Sequence, residues 1–246
     1  MRDIIEKSLD TITTINNKNI QLLARFCKYS ITTNRTNPLI DKVNETAYYL
    51  FHSKVWDDLV YCNYFSILDY LHISYSALQY KETNHVLNNK KLESIINIIN
   101  GPYLLKAEWT SNNLITLYVL SKKLNIPLKN PINIDLNNIE NNSIYQTWQW
   151  TNENYKTFKE YSLALSTLQN EVTKHSIAKI IYICNKLLAS SIVNRDISTI
   201  SDLLLIYSIL NIPQDNLTDC AWQLLSKEKL TIEIALPLII ASDYFK

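Results

Sequence analysis

His52, Asp57, Asp58 and Cys62 lie within eleven residues of one another and carry side-chain types that hold metal ions or activate nucleophiles. If one helix runs through Asp58 and Cys62, their carboxylate and thiol share a face at i,i+4. A zinc site or an activated thiolate could use such groups. Spacing, however, identifies neither a completed ligand set nor a base partnered with the thiol. The simpler reading is acids at a helix start followed by a core cysteine, with no metal and no cofactor. His72 and His85 read as loop or helix-end residues, and His175 as a local feature of a helix start.

The aromatic residues bear on packing and binding rather than on bond-making. Tyr64, Phe65, Tyr70, Tyr75 and Tyr80 concentrate near one hairpin, and Trp148, Trp150, Tyr155, Phe158 and Tyr161 near another. Tyr64, Tyr70, Trp109, Trp148 and Trp150 are the candidates for lining a groove that takes a peptide or an apolar small molecule. The simpler reading, favoured here, is helix-to-helix packing, with each tyrosine hydroxyl satisfied at the rim. An anionic ligand such as a diphosphate would need convergent basic groups. The adjacent pairs Lys90-Lys91 and Lys122-Lys123 read instead as solvated helix ends.

Composition limits the elements that can position these groups. Gly101 is the single glycine, where an average chain of this length carries about 17. Phosphate-binding loops, βαβ dinucleotide folds and β-rich barrels use glycine for tight turns and close backbone approach. Helical hairpins need far less of it, because asparagine can take the left-handed position that ends a helix, and the chain has 28 asparagines. With 24 basic and 23 acidic residues the net charge is +1. No basic cluster marks a nucleic-acid face. No run of 18 apolar residues occurs, so no membrane span is expected. Residues 1–8 lack an apolar signal core, which points to the cytoplasm. Cys27, Cys62, Cys184 and Cys220 are widely spaced and read as buried free thiols.

Apolar spacing then divides the chain into helices. Residues 20–29 form one, preceded by an interruption at 16–19, and another runs from Asp41 to His52, with Pro38 a suitable first helical residue. Four later segments resemble one another. They open at Asn63, Asn113, Glu160 and Asp202, separated by 50, 47 and 42 residues, and Glu160 begins the poorest copy. Three end in Leu-His-Ile-Ser or Leu-Asn-Ile-Pro, at 71–74, 124–127 and 210–213. Further helices are expected at 92–99, 143–150, 176–189, 219–227 and 232–245, with the Asn-rich stretch 132–142 the longest loop. The fold class is therefore all-α, with stacked antiparallel hairpins about every 45 residues. An irregular α-solenoid or bundle is the alternative. Residues 1–246 form one domain in this reading, with 1–52 capping an array over 53–246.

The segment Trp109-Thr-Ser-Asn-Asn-Leu-Ile-Thr-Leu-Tyr-Val-Leu, and after it Arg195 to Tyr207, resembles the repeats of α/α toroid proteins, the protein prenyltransferase β subunits and the terpene or squalene cyclases. The likeness covers about 57–241 and implies a ring of hairpins, whole or partial, around an apolar cavity. The chain departs from those families in lacking their Gly-Gly elements, the Asp-x-Asp-Asp acid motif and the Asp-Asp-x-x-Asp magnesium motif. Trp56-Asp57-Asp58 holds two adjacent acids only, and no zinc set carries over. Two functions follow. The chain is a helical-repeat protein that binds another protein or peptide on an aromatic-lined concave face. Alternatively it is a toroid enzyme, or enzyme-like subunit, acting on an isoprenoid or other apolar substrate.

Overall fold

A computed structural model describes residues 17–31, 38–53, 67–80, 97, 118–124, 162 and 174–242, and these are helices and the turns joining them. The chain divides into two compact units, Glu6–Ile134, and Asp135–Lys246 together with Met1–Ile5. The boundary falls within the Asn-rich 132–142 stretch.

In the first unit α1 spans Asn17–Ile31, α2 Pro38–Phe51 and α3 Ile67–Gln79. Ile20, Leu23, Cys27 and Ser30 are buried along α1, and Leu39, Val43, Ala47 and Leu50 along α2. That recurrence every three or four residues is the apolar stripe of a helix with one face inward. Helix α3 packs against both α1 and α2, and residues 70–74 are buried without interruption. Ser30 and Ser76 share a hydrogen bond of 3.1 Å, which sets the C-terminal ends of α1 and α3 side by side. Pro38 begins α2, where its missing N–H costs no helical bond. Helix α1 starts at Asn17, so part of the expected 16–19 interruption is helical.

The second unit holds α4 at Lys174–Asn194, α5 at Ile197–Ile209, α6 at Asn216–Leu225 and α7 at Ile232–Ser242. Helix α5 is its centre, buried continuously over 199–208 and packed against α4 and α7. Helix α4 also packs against α6. The Ser201 hydroxyl donates to the Ile234 carbonyl at 3.0 Å, which places the N-terminal ends of α5 and α7 together. Tyr207, fully buried, donates its hydroxyl to the Asn185 side chain of α4.

Both helices flanking α5's turns end without glycine. Arg195 and Asn211 take φ of 53° and 54°. Asp196 N–H donates to the Ser191 carbonyl and Arg195 N–H to Ile192; Ile212 N–H donates to Tyr207 and Asn211 N–H to Ser208. Each pair is the two-bond closure that satisfies carbonyls at a helix C-terminus. Asp196 also caps the next helix, accepting from Thr199 N at 3.2 Å and Thr199 Oγ1 at 2.6 Å. A capping box between Asp215 and Thr218 starts α6.

Several expected boundaries are displaced. Asp202 does not open its helix. The cap at Asp196 starts α5 five residues earlier and leaves Asp202 buried in its interior. Leu71-His-Ile-Ser does not close its helix either, because α3 continues to Gln79. The expected helix over 176–189 is longer, at 174–194, and α6 lies three residues before its expected start. Ile177–Asn194 is long and apolar enough to cross a membrane by length and composition alone, with 33% of that window buried. Its buried Ile180, Ile183, Cys184, Leu187 and Leu188 form a stripe on the helix that packs against α5 and α6.

Candidate functional site

The helical register of α2 separates two kinds of residue. Val43, Ala47, Leu50 and Phe51 face inward and are buried. Glu45, Tyr48, Tyr49 and His52 recur at i, i+3, i+4 and i+7 and are part-exposed or exposed, so they share a second stripe. Tyr80, one residue beyond α3, joins them. Its ring centroid lies 5.3 Å from that of Tyr48 and 6.4 Å from that of Tyr49. Tyr48 and Tyr49 are 5.8 Å apart, nearly perpendicular at 77°. The Tyr80 hydroxyl donates to Glu45 Oε1 at 2.7 Å. That hydrogen bond, with some desolvation and the carboxylate's charge, pushes the phenol up to about 12. Tyr49 is 62% exposed although it is a large aromatic residue.

His52 stands at the edge of this cluster, its ring 4.3 Å from that of Tyr48. Its Nδ1 lies 3.0 Å from the Tyr48 carbonyl, which also accepts the His52 backbone N–H. Ser53 likewise turns both its backbone N–H and its hydroxyl to the Leu50 carbonyl. Thus His52 and Ser53 satisfy carbonyls left open at the C-terminus of α2. This local capping accounts for the position of His52 without a metal.

Among the other expected site residues, Tyr70 is buried, 4% exposed, within α3. Asp57, Asp58, Cys62, Tyr64, Trp109, Trp148 and Trp150 lie outside the described residues. Of the expected site residues, His52 and Tyr70 are the two that the structure describes. The stripe at 45, 48, 49 and 52 was readable from α2's apolar spacing. The approach of Tyr80 was not, since it depends on how α3 packs.

Burial favours the neutral form of Cys27, Cys184 and His72. Burial pushes the Cys27 thiol up to about 12, against a smaller opposing effect of its hydrogen bond to Ser76, and burial raises the Cys184 thiol as well. A thiol is nucleophilic as its thiolate, so neither is activated at neutral pH. Cys220 differs from the expected buried thiols: it is exposed, because the inward positions of α6 are Thr218, Ala221 and Leu225. His72 is interior to α3 rather than at a helix end. Burial and the charge of Lys28 lower it to about 3, opposed by its bond to the Leu68 backbone. No group of three His, Cys, Asp or Glu residues able to hold a metal occurs among the described residues.

Compared with protein-family models, curated proteins and solved structures, the chain matches none.

Proposed function

We propose that this chain is a helical-hairpin scaffold that holds another protein or peptide against exposed aromatic helix faces. The observation carrying this reading is the cluster of Tyr48, Tyr49 and Tyr80, with Tyr49 62% exposed. Tyrosine supplies large contact area at low conformational cost and is enriched where proteins bind one another. The described helices of the second unit support an array. Helices α4 and α5 are joined by a tight turn, α4 packs on α6 and α5 on α7. These are the neighbour relations of one hairpin stacked on the next.

Selection of displayed peptides on the full chain tests the reading. Enriched peptides are expected to lose about tenfold or more in affinity on Tyr49→Ala, with the far-ultraviolet circular dichroism unchanged. Equal enrichment on the wild-type chain and on a Tyr49→Ala, Tyr80→Ala double variant would overturn it.

A further inference from the structure

We propose that the outward face of α4 is a docking surface for an anionic lipid bilayer, with the helix lying in the plane of the headgroups. The proposal does not rest on the tyrosine cluster, which belongs to the first unit. The inward stripe of α4, through Ile180, Cys184 and Leu188, is buried, and the helix packs against α5 and α6. A second apolar stripe runs along the opposite side. Ala178, Tyr182, Ala189 and Val193 follow at i, i+4, i+11 and i+15, and all are exposed. Tyr182 is 57% and Val193 82% exposed. Only 33% of the apolar window Ile177–Asn194 is buried, so the core does not account for its composition. A helix at a protein's surface ordinarily turns polar residues to this side. Contiguous exposed apolar surface marks a place where something docks.

Charge selects the occupant. Over its 21 residues α4 carries Lys174, Lys179 and Lys186 and no acidic residue. Lys179 and Lys186, seven positions apart, run along one flank of the exposed stripe, and Lys174 lies on the other. An apolar strip between lysines is the pattern of a helix in a membrane interface. The aliphatic stems bury with the strip while the ammonium groups reach the phosphates. Lys186 Nζ lies 4.5 Å from the Tyr182 centroid, at the border of strip and flank. The first acid after α4, Asp196, accepts from Thr199 N and Oγ1. On α6, Asp215 accepts from Thr218 N and Asp219 from Gln214. The face is the convex side of one helix, about 31 Å long. A continuous, deformable lipid surface covers such a side more fully than the fixed relief of a second protein.

Co-sedimentation of the full chain with vesicles of phosphatidylcholine, alone and with about 30 mol% phosphatidylserine, tests the surface. Binding is expected to the anionic vesicles and not to the neutral ones, and it should weaken as salt rises. Lys179→Gln should weaken it about fivefold, the worth of one lysine near such a surface. Val193→Glu should weaken it about tenfold or more. Its side chain is exposed, so circular dichroism should show the fold retained. Arg25→Gln, the same change of net charge in the first unit, should bind as the wild type does. So should Tyr49→Ala, which separates this test from that of the peptide-docking reading. Equal binding to both kinds of vesicle, no binding to either, or equal losses for Arg25→Gln and Lys179→Gln would overturn the proposal. So would a dimer in vesicle-free solution that Val193→Glu dissociates, since it would assign the stripe to a second copy of the chain.

Discussion

Helices α3 and α5 are each the central helix of their unit, and the phrase that the sequence presents as a helix end lies inside α3 but directly after α5. In α5 the phrase Leu210-Asn-Ile-Pro ends the helix. In α3 the phrase Leu71-His-Ile-Ser lies in the interior. Asn211 adopts φ 54°, and Pro213 disfavours helical backbone at Ile212. Ser74 retains its N–H and imposes no such restriction, so α3 runs on to Gln79. Shared apolar content made the segments look alike. What terminates a helix is the left-handed asparagine and the proline.

The two helices also treat buried polar groups differently. In α5, Thr199 bonds to its cap, Ser201 to Ile234 and Ser208 to the Leu205 carbonyl. In α3, Ser76 bonds to Ser30, but the Ser74 hydroxyl is buried with no hydrogen-bond partner among the described residues.

The largest test of this contrast is to give α3 the stop it lacks. Ser74→Pro removes a helical N–H and introduces a clash, costing about 3 kcal/mol or more. Amide hydrogen exchange should show protection lost across α3 while α5 keeps it. Ser74→Ala should act in the opposite sense, by about 1 kcal/mol, because it removes an unsatisfied buried hydroxyl.

Acid should weaken the first unit through His72. In the unfolded chain this imidazole takes a proton below about 6.5, whereas in the native state it does so only near 3. The unfolded state therefore binds more protons between those values, and stability falls as pH falls through that window. The expected loss is about 1.4 kcal/mol per pH unit from this group. Urea midpoints between pH 7 and 4.5 measure it, and His72→Leu should flatten the dependence if the variant folds. Equal slopes in the two chains would contradict the assignment.

Smaller effects belong to the turns around α5. Asp196→Ala removes the acceptor for Thr199 and should cost about 1 kcal/mol in chemical denaturation. Arg195→Gly should stabilise by about 0.5–1 kcal/mol, since a side chain at positive φ is strained and glycine is not. Asn211→Gly should change stability by only a few tenths, because asparagine tolerates that conformation well. A gain at Asn211 as large as that at Arg195 would break the argument that asparagine substitutes for glycine in this chain.

These particulars show why the sequence was only partly legible. The all-helical class followed from one glycine, helical apolar spacing and many asparagines, and the described residues bear it out. The start of α2 at Pro38 and the stop after Ile209 were readable because proline and asparagine act locally. The start of α5 was misplaced because Asp202 is as plausible a cap by type as Asp196. The choice between them lies in which acid meets the N–H of Thr199. The aromatic site was half legible, since one helix's periodicity groups Glu45, Tyr48, Tyr49 and His52, whereas Tyr80 arrives through tertiary packing. The acid–thiol group at 57–62 lies outside the described residues.

Exposed tyrosines in the two units offer the most direct test of the docking account. Tyr49 is 62% exposed and Tyr182 57% exposed, yet Tyr182 lies under Lys186 of its own helix. Binding isotherms of one selected peptide should be measured on the wild-type chain, Tyr49→Ala and Tyr182→Ala. The account predicts about tenfold weaker binding for Tyr49→Ala and an unchanged isotherm for Tyr182→Ala. Equal affinity of the Tyr49→Ala and wild-type chains would contradict it.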